Sequence, residues 1–128
     1  MRPRRVYETV VYAGDLEAAR AFYRDVLGLR EVEDGVFRLD VDGVLLLFDP
    51  AESSRPGRVV PSHGPEGATH VAFSVEADEL DAWRERLAGQ GVELEQEQDW
   101  RQGAARSLYV RDPAGNSVEL VAGDLWPR

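Results

Sequence analysis

One order of residue types occurs twice in this chain, and it limits the possible folds more than any other feature. A β-branched and aromatic run, Val6-Tyr7-Glu8-Thr9-Val10-Val11-Tyr12, leads to Asp15, a good helix N-cap, and then to the segment Leu16–Leu27. In that segment Leu16, Ala19, Phe22, Tyr23, Val26 and Leu27 share one helical face, and Gly28 is placed to end the helix. The order then repeats. Thr69–Val75 reads as a strand, Asp78 as a cap, and Leu80, Trp83, Arg84 and Leu87 as an inner helical face closed by Gly89 and Gly91.

Each helix is followed by three strand-like segments. In the first half these are Leu29–Glu33, Gly35–Asp40 and Val44–Asp49, with Asp42-Gly43 as a hairpin turn. In the second they are Val92–Gln98, Arg106–Arg111 and Ser117–Val121, the last two joined by a turn over Asp112–Asn116. Each half is therefore β-α-β-β-β, and the chain is expected to be α+β. One domain over residues 1–128 is expected, with a first module at about 5–50, a linker at 51–67 and a second module at 68–123. The connecting stretch Pro50–Ala68, rich in Pro, Gly and Ser, reads as a solvated connector, with a mobile lid as the alternative. Trp126, near the end, is expected to pack against a neighbour.

Composition excludes several function classes. The formal net charge of −9 repels phosphate backbones, so nucleic acid is not an expected partner. With no cysteine, thiolate nucleophiles, disulfides and Cys-ligated zinc are ruled out. No apolar run reaches membrane-spanning length, and the basic start (Arg2, Arg4, Arg5) is not followed by an apolar stretch of signal-peptide type. No membrane partner is expected, and a cytoplasmic location fits.

The repeat also makes a prediction about chemistry. Equivalent strands of the two halves are expected to curve around a shared space. Glu8 and His70 sit at matching points of the two opening strands, and both are polar residues in otherwise apolar runs. Glu119 lies in Ser117-Val118-Glu119-Leu120-Val121, where alternation groups it with Ser117 and Val121. Taken singly, each has a plainer reading as a solvated strand glutamate or a satisfied histidine. Together, one imidazole and two carboxylates suit a divalent Fe, Mn, Zn, Ni or Co ion with positions left open for water or substrate.

The segments Glu8–Tyr12, Gly14–Gly28, Gly67–Phe73 and Arg111–Leu120 resemble the vicinal-oxygen-chelate superfamily, also called the glyoxalase/bleomycin resistance/dioxygenase superfamily. The resemblance implies two βαβββ modules forming an open, cup-shaped mixed sheet, often in a homodimer whose sites draw on both chains. It implies metal ligands on the first and last strands of a module: Glu8, His70 and Glu119. The last strand of the first half falls in Val44–Phe48, all apolar, so the resemblance implies three protein ligands and not four. Ser107 and Tyr109 match positions that face the site in three-ligand members. Tyr109 is a candidate proton donor, its other reading being a core tyrosine. Glu119 is counted with it as catalytic. Ser107, Arg106 and Trp100 are candidate substrate-binding residues, Trp100 being expected in a loop beside the pocket strand. The other reading of Arg106 is a surface charge. His63 is a candidate fourth ligand or acid-base group, with an exposed loop histidine as the alternative.

Two functions follow from the resemblance. One is a metal-dependent enzyme that chelates two substrate oxygens, whether lyase/isomerase, transferase or dioxygenase. The other is a small-molecule-binding resistance protein that sequesters a drug or metabolite, with or without metal.

Overall fold

The computed structural model describes residues 1–2 and 5–126. The sequence readings that touch Pro3, Arg4, Pro127 and Arg128, in the basic start and the short tail, lie outside the described residues. The chain forms two compact units, one ending at Thr69 and the other beginning at His70.

In the first unit, β1 (Glu8–Tyr12) is followed by α1 (Leu16–Ala21), then β2 (Arg30–Glu33), β3 (Val36–Arg38) and β4 (Val44–Phe48). The sheet order is β1-β4-β3-β2, with β1 parallel to β4 and the other pairs antiparallel. Asp15 caps α1 as expected, its carboxylate accepting from the Ala18 N–H at 3.0 Å. The helix does not stay α-helical to Leu27. It widens into a π-helical stretch over Phe22–Val26, where the Leu27 N–H reaches back to the Phe22 carbonyl at 3.1 Å. Through this wider turn Phe22, Tyr23, Val26 and Leu27 are all buried. Gly28 follows with φ +74°, the left-handed stop that a glycine takes without strain. The Tyr23 ring lies 6.2 Å from that of Phe37 on β3, so α1 packs on the face of the sheet that carries Phe37 and Leu45.

Arg20 pins that helix to β2. Its guanidinium donates to both Glu31 oxygens, at 2.6 and 3.2 Å. The hydrogen bond from Arg20, with smaller help from the Gly35 N–H and against the cost of burial, lowers the Glu31 carboxyl from its ordinary 4.5 to about 2. A carboxylate whose folded pKa is depressed stabilises the fold above its unfolded value and loses that contribution as pH falls through the folded one. Between pH 4.5 and about 2, wild-type protein is therefore expected to lose more stability than Glu31→Gln. Urea midpoints measured across that window check this; parallel decline of the two proteins would count against it.

The connector is more ordered than its composition implies. Asp49 caps a short helix, α2 (Pro50–Ser53), and the Arg58 guanidinium and the His63 N–H both donate to the Ser53 carbonyl. His63 is not an exposed loop residue. It is half-buried, hydrogen-bonded through Nδ1 to the Tyr12 hydroxyl and edge-on to the Phe48 ring at 4.9 Å.

In the second unit, β5 (His70–Val75) leads through a 3-10 turn (Ala77–Glu79) into α3 (Leu80–Gly89), followed by β6 (Gln96–Trp100), β7 (Ala105–Arg111) and β8 (Ser117–Gly123). The order β5-β8-β7-β6 repeats the first sheet, again with the first and last strands parallel. Asp78 is not the cap of α3. It lies inside the 3-10 turn, and Glu79 stands at the cap position with no side-chain bond. Trp126 is 74% exposed, and the Arg101 guanidinium lies 6.0 Å from its ring centre, a cation–π contact. Among the described residues, no helix is long and apolar enough to cross a membrane.

Candidate functional site

Register divides the second sheet into two faces. One row across it is Glu97, Leu108, Leu120 and Phe73, and the next on the same face is Asp99, Arg106, Ala122 and Val75. The ion pair between Arg84 of α3 and Glu97 of β6 places the helix over this face. Alternation sends the intervening residues to the other side. There the rows are Ser117 with His70; Gln96, Tyr109, Glu119 and Ala72; and Gln98, Ser107, Val121 and Ser74. Four of the residues expected at the site, His70, Ser107, Tyr109 and Glu119, thus stand on one face in adjacent rows.

Their side chains meet. Glu119 is only 5% exposed, and its Oε2 lies 3.2 Å from His70 Nε2. Ser107, fully buried, shares a hydrogen bond with the other carboxylate oxygen, Oε1. The Trp100 indole N–H donates to Ser107 Oγ at 2.9 Å. His70 Nδ1 is 3.1 Å from the Ser117 hydroxyl, and the His70 ring stacks on that of Tyr109 at 6.4 Å. Burial, then the negative charge of Glu119 and a hydrogen bond to it, raise the Tyr109 phenol above its ordinary value of 10, with Ser107 partly opposing. The phenol therefore keeps its proton at neutral pH, directed to the Glu119 carboxylate.

The remaining candidates fall elsewhere. Arg106 is on the helix-covered face, where its guanidinium grips Asp99 at 2.6 and 2.7 Å and reaches Glu97 at 3.1 Å. Of its two readings, the surface charge is the one these contacts match, and Arg106 does not share a face with Ser107, since neighbouring residues of one strand point to opposite faces. Trp100 is the last residue of β6 and not a loop residue. Glu8 opens β1 in the first unit, exposed, in a row with Val44 and Arg38. Among the described residues, no three His, Cys, Asp or Glu side chains form a metal-holding group. Ser117 was not among the expected site residues, although alternation had already grouped it with Glu119. Its pairing with His70 follows from register.

Comparison with known proteins agrees with the doubled module. Residues 5–120 match the family model of the Glyoxalase/Bleomycin resistance protein/Dioxygenase superfamily. The chain belongs to this superfamily. A crystal structure described as lactoylglutathione lyase from Agrobacterium tumefaciens superposes with a TM-score of 0.86 at 42% identity, covering 98% of each chain. The metallothiol transferase FosB of Bacillus licheniformis is 26% identical over 117 residues, spanning 89% of this chain and 72% of that protein. The uncharacterised protein YaeR of Escherichia coli is 32% identical, over 91% of this chain and 95% of its own length. The two βαβββ modules described above are thus a glyoxalase-like α+β fold.

Proposed function

We propose that this member of the superfamily is a divalent-metal-dependent enzyme acting on a small molecule that presents two oxygens to the cation. The reading rests on the His70–Glu119 pair, an imidazole nitrogen and a buried carboxylate oxygen 3.2 Å apart. Their chemistry fits the group: neutral nitrogen and anionic oxygen donors suit Fe, Mn, Zn, Ni or Co. The tautomer that donates its Nδ1 proton to Ser117 Oγ would present the Nε2 lone pair of His70, beside Glu119 Oε2, to a metal, as ligating histidines require. In this reading the third ligand is Glu8 of the partner subunit in a homodimer.

A cation bound there would supply Lewis-acid stabilisation to an oxyanionic intermediate. The chain's own residues do the rest. Tyr109 donates a hydrogen bond or a proton to a substrate oxygen. Trp100, His70 and Tyr109 give the site aromatic walls. The names of two relatives, a metallothiol transferase and a lactoylglutathione lyase, make small thiols and glutathione adducts the first substrates to assay.

Metal analysis of protein purified without chelator tests the proposal. Stoichiometric divalent metal is expected. A protein that stays metal-free after exposure to each of the five cations, yet binds small ligands, would instead support sequestration of a drug or metabolite.

A further inference from the structure

The bond partners of Glu119 are not all available to a substrate. Trp100 carries a single polar hydrogen, which can only be donated, and it is donated to Ser107 Oγ at 2.9 Å. A serine hydroxyl has one proton and two lone pairs. With a lone pair taken by the indole and the side chain fully buried, the hydroxyl proton must go to an acceptor already present. Glu119 Oε1 is that acceptor, with Ser107 Oγ as the donor. The contacts run from Trp100 to Ser107 to Glu119. They leave Oε2 as the carboxylate oxygen turned toward His70.

The register shows why three residues from three strands can do this. Ser107 pairs directly with Gln98 on β6 and Val121 on β8, so Trp100 and Glu119 are its diagonal neighbours, on opposite sides of β7 and within reach of long side chains. Trp100 is held where β6 stops. The next two residues, Arg101 and Gln102, take left-handed backbone at φ 45° and 57°, conformations that non-glycine residues keep only when their surroundings enforce them. Arg101 is tied there, its Nε donating to the Leu125 carbonyl.

We infer that Trp100 is a positioning residue for Glu119, acting through the Ser107 hydroxyl, and that this relay selects which carboxylate oxygen faces the cation. This rests on the reading of Glu119 as a metal ligand and deepens it. Trp100 and Ser107, expected to bind substrate, are on this account committed to the ligand.

The test is a double-mutant cycle on metal-stripped full-length protein, titrated with Mn2+ alone, together with NMR of the three tryptophan indole N–H groups. Ser107→Ala should weaken Mn2+ binding by about 10- to 100-fold, as loss of a hydrogen-bond partner of a metal ligand does. Trp100→Phe keeps an aromatic ring but loses the donor, and should weaken binding by a smaller factor. The double variant should match Ser107→Ala, because the indole has no other route to Glu119. Factors that multiply, or a Trp100→Phe protein with wild-type affinity, would overturn the relay. Should Ser107→Ala fail to fold, Trp100→Phe alone decides by that same criterion. Should the wild type bind no Mn2+ at all, the metal reading fails separately, and the indole spectrum tests the relay. The Trp100 resonance must then shift and exchange faster with solvent in Ser107→Ala; an unmoved resonance refutes it.

Discussion

Replacing Glu119 by alanine is expected to abolish cation binding, and turnover with it, without unfolding the protein. Glu119 is only 5% exposed, and its carboxylate has an imidazole, a serine hydroxyl and a phenol beside it. A buried carboxylate costs stability unless it is paired, and in the proposed reading the cation offsets that cost. Removing the carboxylate should leave metal-free protein at least nearly as stable as wild type, the loss of the hydrogen bond to Ser107 being offset by relief from desolvation. The metal-dependent increment is what disappears. At a cation concentration of 100 times Kd, wild type should gain about 2.7 kcal/mol from mass action alone, and Glu119→Ala none. Affinity should fall by more than the roughly 100-fold at which the loss of an outer hydrogen-bond partner tops out. Glu119→Gln separates charge from shape: it retains an acceptor for Ser107 but offers the cation a neutral oxygen, and should fall close to alanine. Calorimetric titration and thermal scans with and without Mn2+ give both quantities. If Glu119→Ala keeps a metal-dependent rise in Tm, the cation sits elsewhere and the proposed centre is wrong.

The two-module plan was legible because it is written in local signals. The helix start at Leu16, the capping carboxylate of Asp15 and the glycine stop at Gly28 each act within a few residues, and each appears in the structure at its expected place. So does the grouping of Glu119 with Ser117, which needs only the alternation of a strand. Errors arose where several residues could serve or where the deciding contact is distant. Glu76, Asp78 and Glu79 all precede α3, and any of them could have capped it; the chain uses an extra 3-10 turn instead. The π-helical stretch has no local marker, and the Tyr12–His63 bond spans a connector without periodicity. Arg106 is a different case. Once Ser107 and Tyr109 were assigned to one face, parity excluded it, and its partners Asp99 and Glu97 sit opposite on β6 for the same reason. The Trp100–Ser107–Glu119 chain lay beyond sequence reading because it crosses three strands diagonally, and only the register brings those positions together.

Leu108→Ala should produce the largest loss of stability among single side-chain truncations in the second unit, with the cation site left intact in the molecules that remain folded. Leu108 has no solvent exposure and stands in the centre of its row, between Glu97 on β6 and Leu120 on β8, under α3. Truncation forfeits the burial of the removed atoms and leaves a hole that backbone hydrogen-bonded to both neighbouring strands cannot close, a cost of about 2–5 kcal/mol. Domains of this size are stable by only about 5–15 kcal/mol, so the change is a large fraction of the whole. Val121→Ala is the control. Val121 lies on the opposite face, only half-buried, in the row of Ser107, and its truncation removes contacts that solvent already interrupts. Urea unfolding should show the midpoint falling sharply for the first variant and slightly for the second, at unchanged slope. Mn2+ affinity measured below both transitions should follow neither midpoint, because Leu108 points away from the rows that hold His70 and Glu119. A Leu108→Ala protein losing less than about 1 kcal/mol would mean the cavity collapses, and the close packing of that face would be refuted. A weakened Mn2+ site in fully folded Leu108→Ala protein would mean that the two faces of the sheet are coupled, and that the helix-covered side helps to set the geometry at Glu119.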